Sequence, residues 1–246
     1  MPGTRNSGVL ALGGIALAAL LTVIGHVGVD DLDPVTLTVS DYAVSDSGGI
    51  IHLAMLTLAV ASAAIIPTLR RLAPPDTAEH PGPNRAETER VGVDRVGVAQ
   101  LLLAVWAGGL LVSGLVPTNP PGTEMDTAAY VHRYASVVAF LALPAAGWLL
   151  AARLPAEAHT TARWLRALAL TSLLLATAMA WSAYPGDRAL YGLLERALIL
   201  TEVTLLALLT LPTPAPRPSA SPSPAIMQSW RPAKGTKRHQ STTTTP

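Results

Sequence analysis

The sequence predicts an all-α, polytopic membrane bundle of six transmembrane helices, and three observations predict it. Half of the 246 residues are apolar and only 13% are charged, against about a quarter charged in soluble domains. Six apolar stretches are each long enough to cross a hydrocarbon core of about 30 Å, for which a helix needs roughly 20 residues. The 17 basic and 16 acidic residues fall almost entirely between those stretches.

The spans are expected near 8–29, 49–69, 96–116, 131–152, 164–184 and 189–211. Each is rich in Leu, Ala and Val and lacks both strict alternation and a charged stripe, the pattern of a lipid-facing helix. A helix pairs its backbone groups internally, as the membrane interior demands. In the first span the apolar run from Gly8 to Ile24 exceeds a signal peptide's apolar core of about 7–15 residues, so this span is expected to be retained. Pro144 should kink the fourth span and leave a carbonyl free near a cavity. Gly14 with Ala18, and Gly109 with Ser113, have the small-residue spacing that lets helix backbones approach. They are read as seams inside the bundle, with a homodimer face as the other use.

Orientation follows from the basic residues of the connections. Arg5 precedes the first span; Arg70, Arg71, Arg85, Arg90 and Arg95 lie between spans two and three; Arg153, Arg163 and Arg166 lie between spans four and five; Arg217, Arg231, Lys234, Lys237 and Arg238 lie in the tail. Fourteen of the 17 thus share one side, which makes both termini cytoplasmic and the protein a multi-pass resident of the bacterial plasma (inner) membrane. The connection over 70–95, with four prolines among acids and arginines, reads as a mobile cytoplasmic loop. The segment 212–246 is basic and rich in Pro, Ser and Thr, and is expected to be a disordered cytoplasmic tail.

Cysteine is absent, which excludes disulfides, thiolate metal sites and a cysteine nucleophile. A net charge of +1 carries no nucleic-acid signal. No G-x-S-x-G elbow, phosphate-cradling loop or dinucleotide fingerprint occurs.

Function is sought instead in the ionisable residues that the membrane makes expensive. His26 closes the first span, His52 opens the second, His132 and Arg133 open the fourth, and Glu195 and Arg196 lie in the first turns of the sixth. All six belong to the outer half of the bilayer. Asp41, and in the second outer loop Asn119, Glu124 and Asp126, can fold onto them. Three readings follow. In one, His52, His132 and Asp41, or Glu195 in its place, hold zinc or another divalent metal for a metal-dependent membrane-lipid hydrolase with Glu195 as general base. In another, Arg133 and Arg196 pair with Glu195 and the loop acids as a fixed ionic lock. In the third, the arginines grip a phosphate or carboxylate headgroup as bidentate forks. Glu202 stands apart, near the middle of the sixth span and one heptad beyond Glu195. Either it stays protonated and bonds to hydroxyls such as those of Thr201, Thr204, Thr171, Ser172 or Thr177, or it moves protons in a proton-coupled transporter.

The Ser40-Asp41-Tyr42 loop, His52, the Pro117-Thr118-Asn119-Pro120-Pro121-Gly122 segment, His132 and the Glu195-Arg196 pair together resemble a bacterial and archaeal membrane family catalogued as domain of unknown function 998, over about residues 8–211. The resemblance implies six spans and no established activity. Asn119 stands where family members usually carry Asp. By placement the resemblance singles out Asp41, His52, His132, Glu195 and Arg196. The sequence thus favours a protein that recognises a membrane-lipid headgroup or small polar ligand, or a structural accessory protein, with Asp41, His52, His132, Arg133, Glu195 and Arg196 around the ligand and no cofactor required.

Overall fold

The computed structural model describes residues 3–27, 29, 32–72 and 95–211. The chain divides after Thr213, and the expected tail, like most of the expected 70–95 loop, lies outside the described residues. Every regular element among the described residues is helical: α1 Gly3–Val27, α2 Val39–Tyr42, α3 Gly48–Ile65, α4 Arg95–Leu115, α5 Thr127–Ala151, α6 His159–Ala183 and α7 Tyr191–Thr210, with 3₁₀ segments at Ile66–Leu72 and Ala156–Ala158.

The boundaries differ from the expected spans where local chemistry overrides hydropathy. Helix α5 begins at Thr127, four residues before the expected 131, because Asp126 is extended and its carboxylate accepts the Ala129 N–H at 2.9 Å, an N-cap. Helix α3 gives way to a 3₁₀ segment after Ile65. Pro67 lacks the N–H that would continue the ladder. Pro144, by contrast, lies buried within α5 and the helix runs on to Ala151. The proline leaves the Phe140 carbonyl without its intrahelical donor.

The long helices form a ring in which α1 packs on α3, α3 on α4, α4 on α5, α5 on α6 and α6 on α7, and α7 returns to α1 and α5. Small residues set the closest seams. A Cβ on Gly14 would lie 2.8 Å from that of Ala61, and one on Gly109 would lie 2.7 Å from the Ala135 carbonyl oxygen, so both small-residue faces are in use between α1 and α3 and between α4 and α5. Gly109→Val is therefore expected to destabilise the fold at the upper end of the about 1–3 kcal/mol range for overpacking. Thermal unfolding in detergent measures it, and an unchanged midpoint would show that the seam yields. The interior is apolar around Trp106, Leu103, Leu143, Leu165 and Leu205. Its indole N–H is satisfied by the Ser62 hydroxyl at 2.9 Å.

Five helical stretches are long and apolar enough to cross a membrane: Ser7–Val27, Gly48–Leu69, Arg95–Leu115, Thr127–Ala151 and Ala156–Ala183. Helix α7 does not reach that standard, because Glu195, Arg196 and Glu202 lie within it. Exposed aromatic rings mark two levels on the bundle. Tyr130, Tyr134, Trp181 and Tyr184 lie at one end, Trp148 and Trp164 at the other, as interfacial belts do. The 18 steps from Tyr130 to Trp148 span about 27 Å of helix.

Candidate functional site

The site is organised by the segment 32–43, which the sequence leaves looking like an ordinary loop. Asp33 folds its beginning: it accepts the Thr36 hydroxyl at 2.6 Å and the Val35 N–H at 3.0 Å. These bonds, the hydroxyl's first, hold the exposed carboxyl below its ordinary range. Thr38 and Asp41 then make a capping box around α2, with the Asp41 carboxylate accepting the Thr38 N–H at 2.7 Å and the Thr38 hydroxyl oxygen accepting the Asp41 N–H at 3.1 Å. The signature Thr-x-x-Asp, residues 38–41, is the sequence signal that could have marked this helix start. Asp41 therefore serves first as a cap and second as an ion-pair partner.

The neighbouring elements grip this segment through single side chains or pairs of them. From α7, the Glu195 carboxylate accepts the Val39 N–H. Its neighbour Arg196 donates through Nη1 to the carbonyls of Leu37 at 2.7 Å, Pro34 at 2.9 Å and Gly192 at 2.9 Å, and through Nη2 to His26 Nε2 at 2.9 Å. Its guanidinium lies 5.1 Å above the Tyr42 ring, which stacks on His26 at 4.4 Å. From α5, the His132 Nε2 lies 3.0 Å from the Ser40 hydroxyl. From the α6–α7 turn, Arg188 Nη2 lies 3.5 Å from Asp41. Gly192 is required at the crossing: a Cβ there would lie 2.0 Å from the Leu37 carbonyl oxygen.

Three histidines share one chemistry. The Nδ1 of His26, His52 and His132 face the carbonyl oxygens of Thr22, Gly114 and Val116 at 2.7, 2.9 and 2.9 Å. A carbonyl can only accept, so each neutral ring carries its proton on Nδ1 and presents Nε2 as a lone pair. That lone pair meets an Arg196 N–H on His26 and the Ser40 O–H on His132.

Two cavities flank this clasp and share a wall made by Ser40, Ser136, Phe140 and Glu195. The first, about 390 Å³, is apolar over most of its lining, with His26 and Arg196 at its polar end. The second, about 440 Å³, is polar at one end, where Asp41, His132, Arg133, Arg188 and Tyr191 meet, and apolar between α5 and α6, along Val137, Leu141, Leu173 and Met179. Its lip is formed by the exposed Val137, Leu141, Leu173 and Tyr184. The turn that delivers Arg188 is strained. Asp187, Arg188 and Leu190 all have φ between 50° and 59°, a left-handed conformation that non-glycine residues adopt at about 1–3 kcal/mol each.

The structure thus brings Asp41, His132, Arg133 and Glu195 around one cavity and turns Arg196 into a brace on the other. His52 borders neither and binds the end of α4. Among the described residues no three His, Asp or Glu side chains are placed to hold a metal ion together, so the trio His52, His132 and Asp41 does not converge. The expected lock of Arg133 and Arg196 on Glu195 is not formed either. Glu195 accepts a backbone N–H, the Arg196 Nη groups donate to carbonyls and an imidazole, and Arg188–Asp41 is the ion pair observed among the described residues. In the second outer loop Asn119 accepts the Asp126 N–H at 3.0 Å, so these two residues shape their own turn. Glu202 does not meet the expected hydroxyls. Thr177, Thr201 and Thr204 donate to carbonyls of their own helices, and Ser172, with both Glu202 oxygens, is buried without a hydrogen-bond partner among the described residues. Arg188 and Ser40 were missed as site residues. A lone arginine in a turn carries no sequence signal, and Ser40 acquires meaning only beside His132, 92 positions away.

No curated protein and no solved structure matches the chain. The sequence model of one family, described as Protein of unknown function (DUF998), matches residues 91–212. The match takes in Pro117–Gly122, His132, Glu195 and Arg196, and starts after Asp41 and His52. Residues 91–212, from just before α4 to the end of α7, are thus similar to the DUF998 family, whose function is unknown.

Proposed function

We propose that this is a six-span protein of the bacterial plasma membrane, with both termini cytoplasmic, that binds an anionic amphiphile in the second cavity. The headgroup sits on Arg133 and Arg188 and the hydrocarbon chain lies between α5 and α6. The sixth span is α7, whose 20 residues reach about 30 Å and whose Glu195 and Glu202 face the bundle interior. The lopsided distribution of basic residues supports the orientation, which sets the two cavities in the outer half of the bilayer.

The observation that carries the ligand assignment is the cavity's split character: two guanidinium groups at the wet end and a continuous apolar wall below. Its volume of about 440 Å³ falls in the range of about 300–1,000 Å³ typical of ligand sites. Arg133 is exposed and has no hydrogen bond to protein among the described residues, so its donors are open to a phosphate or carboxylate fork. The strained turn that holds Arg188 against Asp41 supports the same reading, since strain of this kind gathers where a side chain must be aimed.

Charge-assisted bonds contribute about 1.5–3 kcal/mol each, and every 1.4 kcal/mol is about tenfold in affinity. Purified Arg133→Ala/Arg188→Ala protein is therefore expected to retain at most about one tenth of the anionic lipid that co-purifies with the wild type, by quantitative mass spectrometry. Arg153→Ala, at the opposite interface, should retain it all. Equal lipid content in the double variant and the wild type would overturn the assignment.

A further inference from the structure

We propose that Ser40 and His132 form a nucleophile–base dyad that cleaves a carboxylic ester in the amphiphile bound by the second cavity. This rests on the binding reading above and adds a reaction to it.

The geometry is that of an activated hydroxyl. His132 is 2% exposed. Its Nδ1–H donates to the Val116 carbonyl at 2.9 Å, which fixes the ring and its tautomer, and its Nε2 lone pair lies 3.0 Å from Ser40 Oγ. A nucleophile in hydrogen-bond reach of a base, with the base oriented by a third group, is the general signature of serine catalysis. Here a backbone carbonyl orients the base. Six other hydroxyls of the spans behave differently. Thr22, Thr57, Ser62, Thr177, Thr201 and Thr204 each donate to the carbonyl four residues back in their own helix, as hydroxyls do in apolar surroundings. Ser40 instead donates across the bundle to an imidazole, and it borders both cavities. Glu195 holds the Val39 N–H of the preceding residue and so acts as a positioning residue for Ser40.

The dyad also sits where an ester would be. Arg133 and Arg188 line the polar end of the cavity, Val137 and Leu141 the apolar part, and the ester of an acylated amphiphile lies at the junction of its headgroup and its chain. The reaction balances with water as co-reactant. Ser40 Oγ bonds to the ester carbonyl carbon while its proton passes to His132 Nε2. The tetrahedral oxyanion collapses, the bond to the alcohol oxygen breaks, and Nε2 returns the proton to that oxygen. Water then attacks the acyl-serine, giving a proton to Nε2 and its oxygen to the carbonyl carbon. Collapse breaks the Oγ–acyl bond, and Oγ recovers the proton. The products are a carboxylic acid and an alcohol.

The test uses the full chain in lipid nanodiscs with an alkyl fluorophosphonate, which forms a phosphorus–oxygen bond to an activated serine and releases fluoride. The expected result is labelling at Ser40, located by peptide mass spectrometry, absent in Ser40→Ala and at least about 100-fold slower in His132→Gln, the lower end of a general base's contribution. Wild-type protein unlabelled at Ser40, or His132→Gln labelled as fast as wild type, would overturn the dyad. Should His132→Gln not fold, wild-type labelling and its loss in a folded Ser40→Ala decide alone. Lipid content, read on the same wild-type samples, keeps the two readings apart: wild-type protein that co-purifies with anionic lipid yet is unlabelled at Ser40 fails as an esterase while still binding.

Discussion

Arg196→Ala is expected to lower the unfolding free energy by about 3–5 kcal/mol, since it strips a shared donor from several acceptors that each cost about 1–3 kcal/mol when buried unsatisfied. In a chain of this size that is a fall in melting midpoint of about 6–20 °C. The truncation leaves the Leu37, Pro34 and Gly192 carbonyls and the His26 Nε2 without their shared donor, and it uncovers the face of Tyr42. Arg196→Lys should recover only part of the loss, since one ammonium cannot reproduce a planar fork that reaches carbonyls on one side and an imidazole on the other. Circular dichroism melts in detergent measure both. An alanine variant melting within about 2 °C of wild type, less than about 1 kcal/mol, would sink the clasp as a structural brace.

Glu202→Met should act in the opposite direction. Glu202 is 0% exposed and neither of its oxygens has a partner among the described residues. A buried polar group left unsatisfied costs about 1–3 kcal/mol, and methionine replaces it with an apolar chain of similar length that fills irregular gaps. The expected gain is about 2 kcal/mol, a rise of about 4–8 °C in melting midpoint. Glu202→Gln, which keeps the polar burden, should gain little. A fall in the methionine variant would show that the carboxyl has a stabilising partner. The group is also the one a proton-coupled transporter would use: proteoliposome proton flux that vanishes in a stable Glu202→Gln protein would assign it that role.

The long apolar runs were readable because lipid imposes one requirement on every crossing segment, and five of the six stretches appear as helices with the length and hydropathy to cross. The sixth, 189–211, forms helix α7 but carries Glu195, Arg196 and Glu202, the residues that make it informative. Ends were less legible, because caps such as Asp126 and breakers such as Pro67 act through single hydrogen bonds that hydropathy averages away. Of the residues that the desolvation argument picked out, His132, Arg133 and Glu195 line one cavity, yet that argument could not distinguish a guanidinium facing a cavity from one facing carbonyls. Arg133 and Arg196 look alike in sequence and do different things, since only the fold brings the 34–37 carbonyls over α7. His52 shares the rule with His132 but ends on the Gly114 carbonyl, away from both cavities.

The second cavity's lip is made of apolar side chains on the exposed surface of the bundle: Val137, Leu141 and Leu173. On the binding reading proposed above, a guest arrives there by sideways diffusion within one leaflet rather than from bulk water. Its occupancy then follows mole fraction in the bilayer, a surface quantity. Diluting the membrane with inert lipid should empty the site, whereas diluting the suspension with buffer should leave it filled.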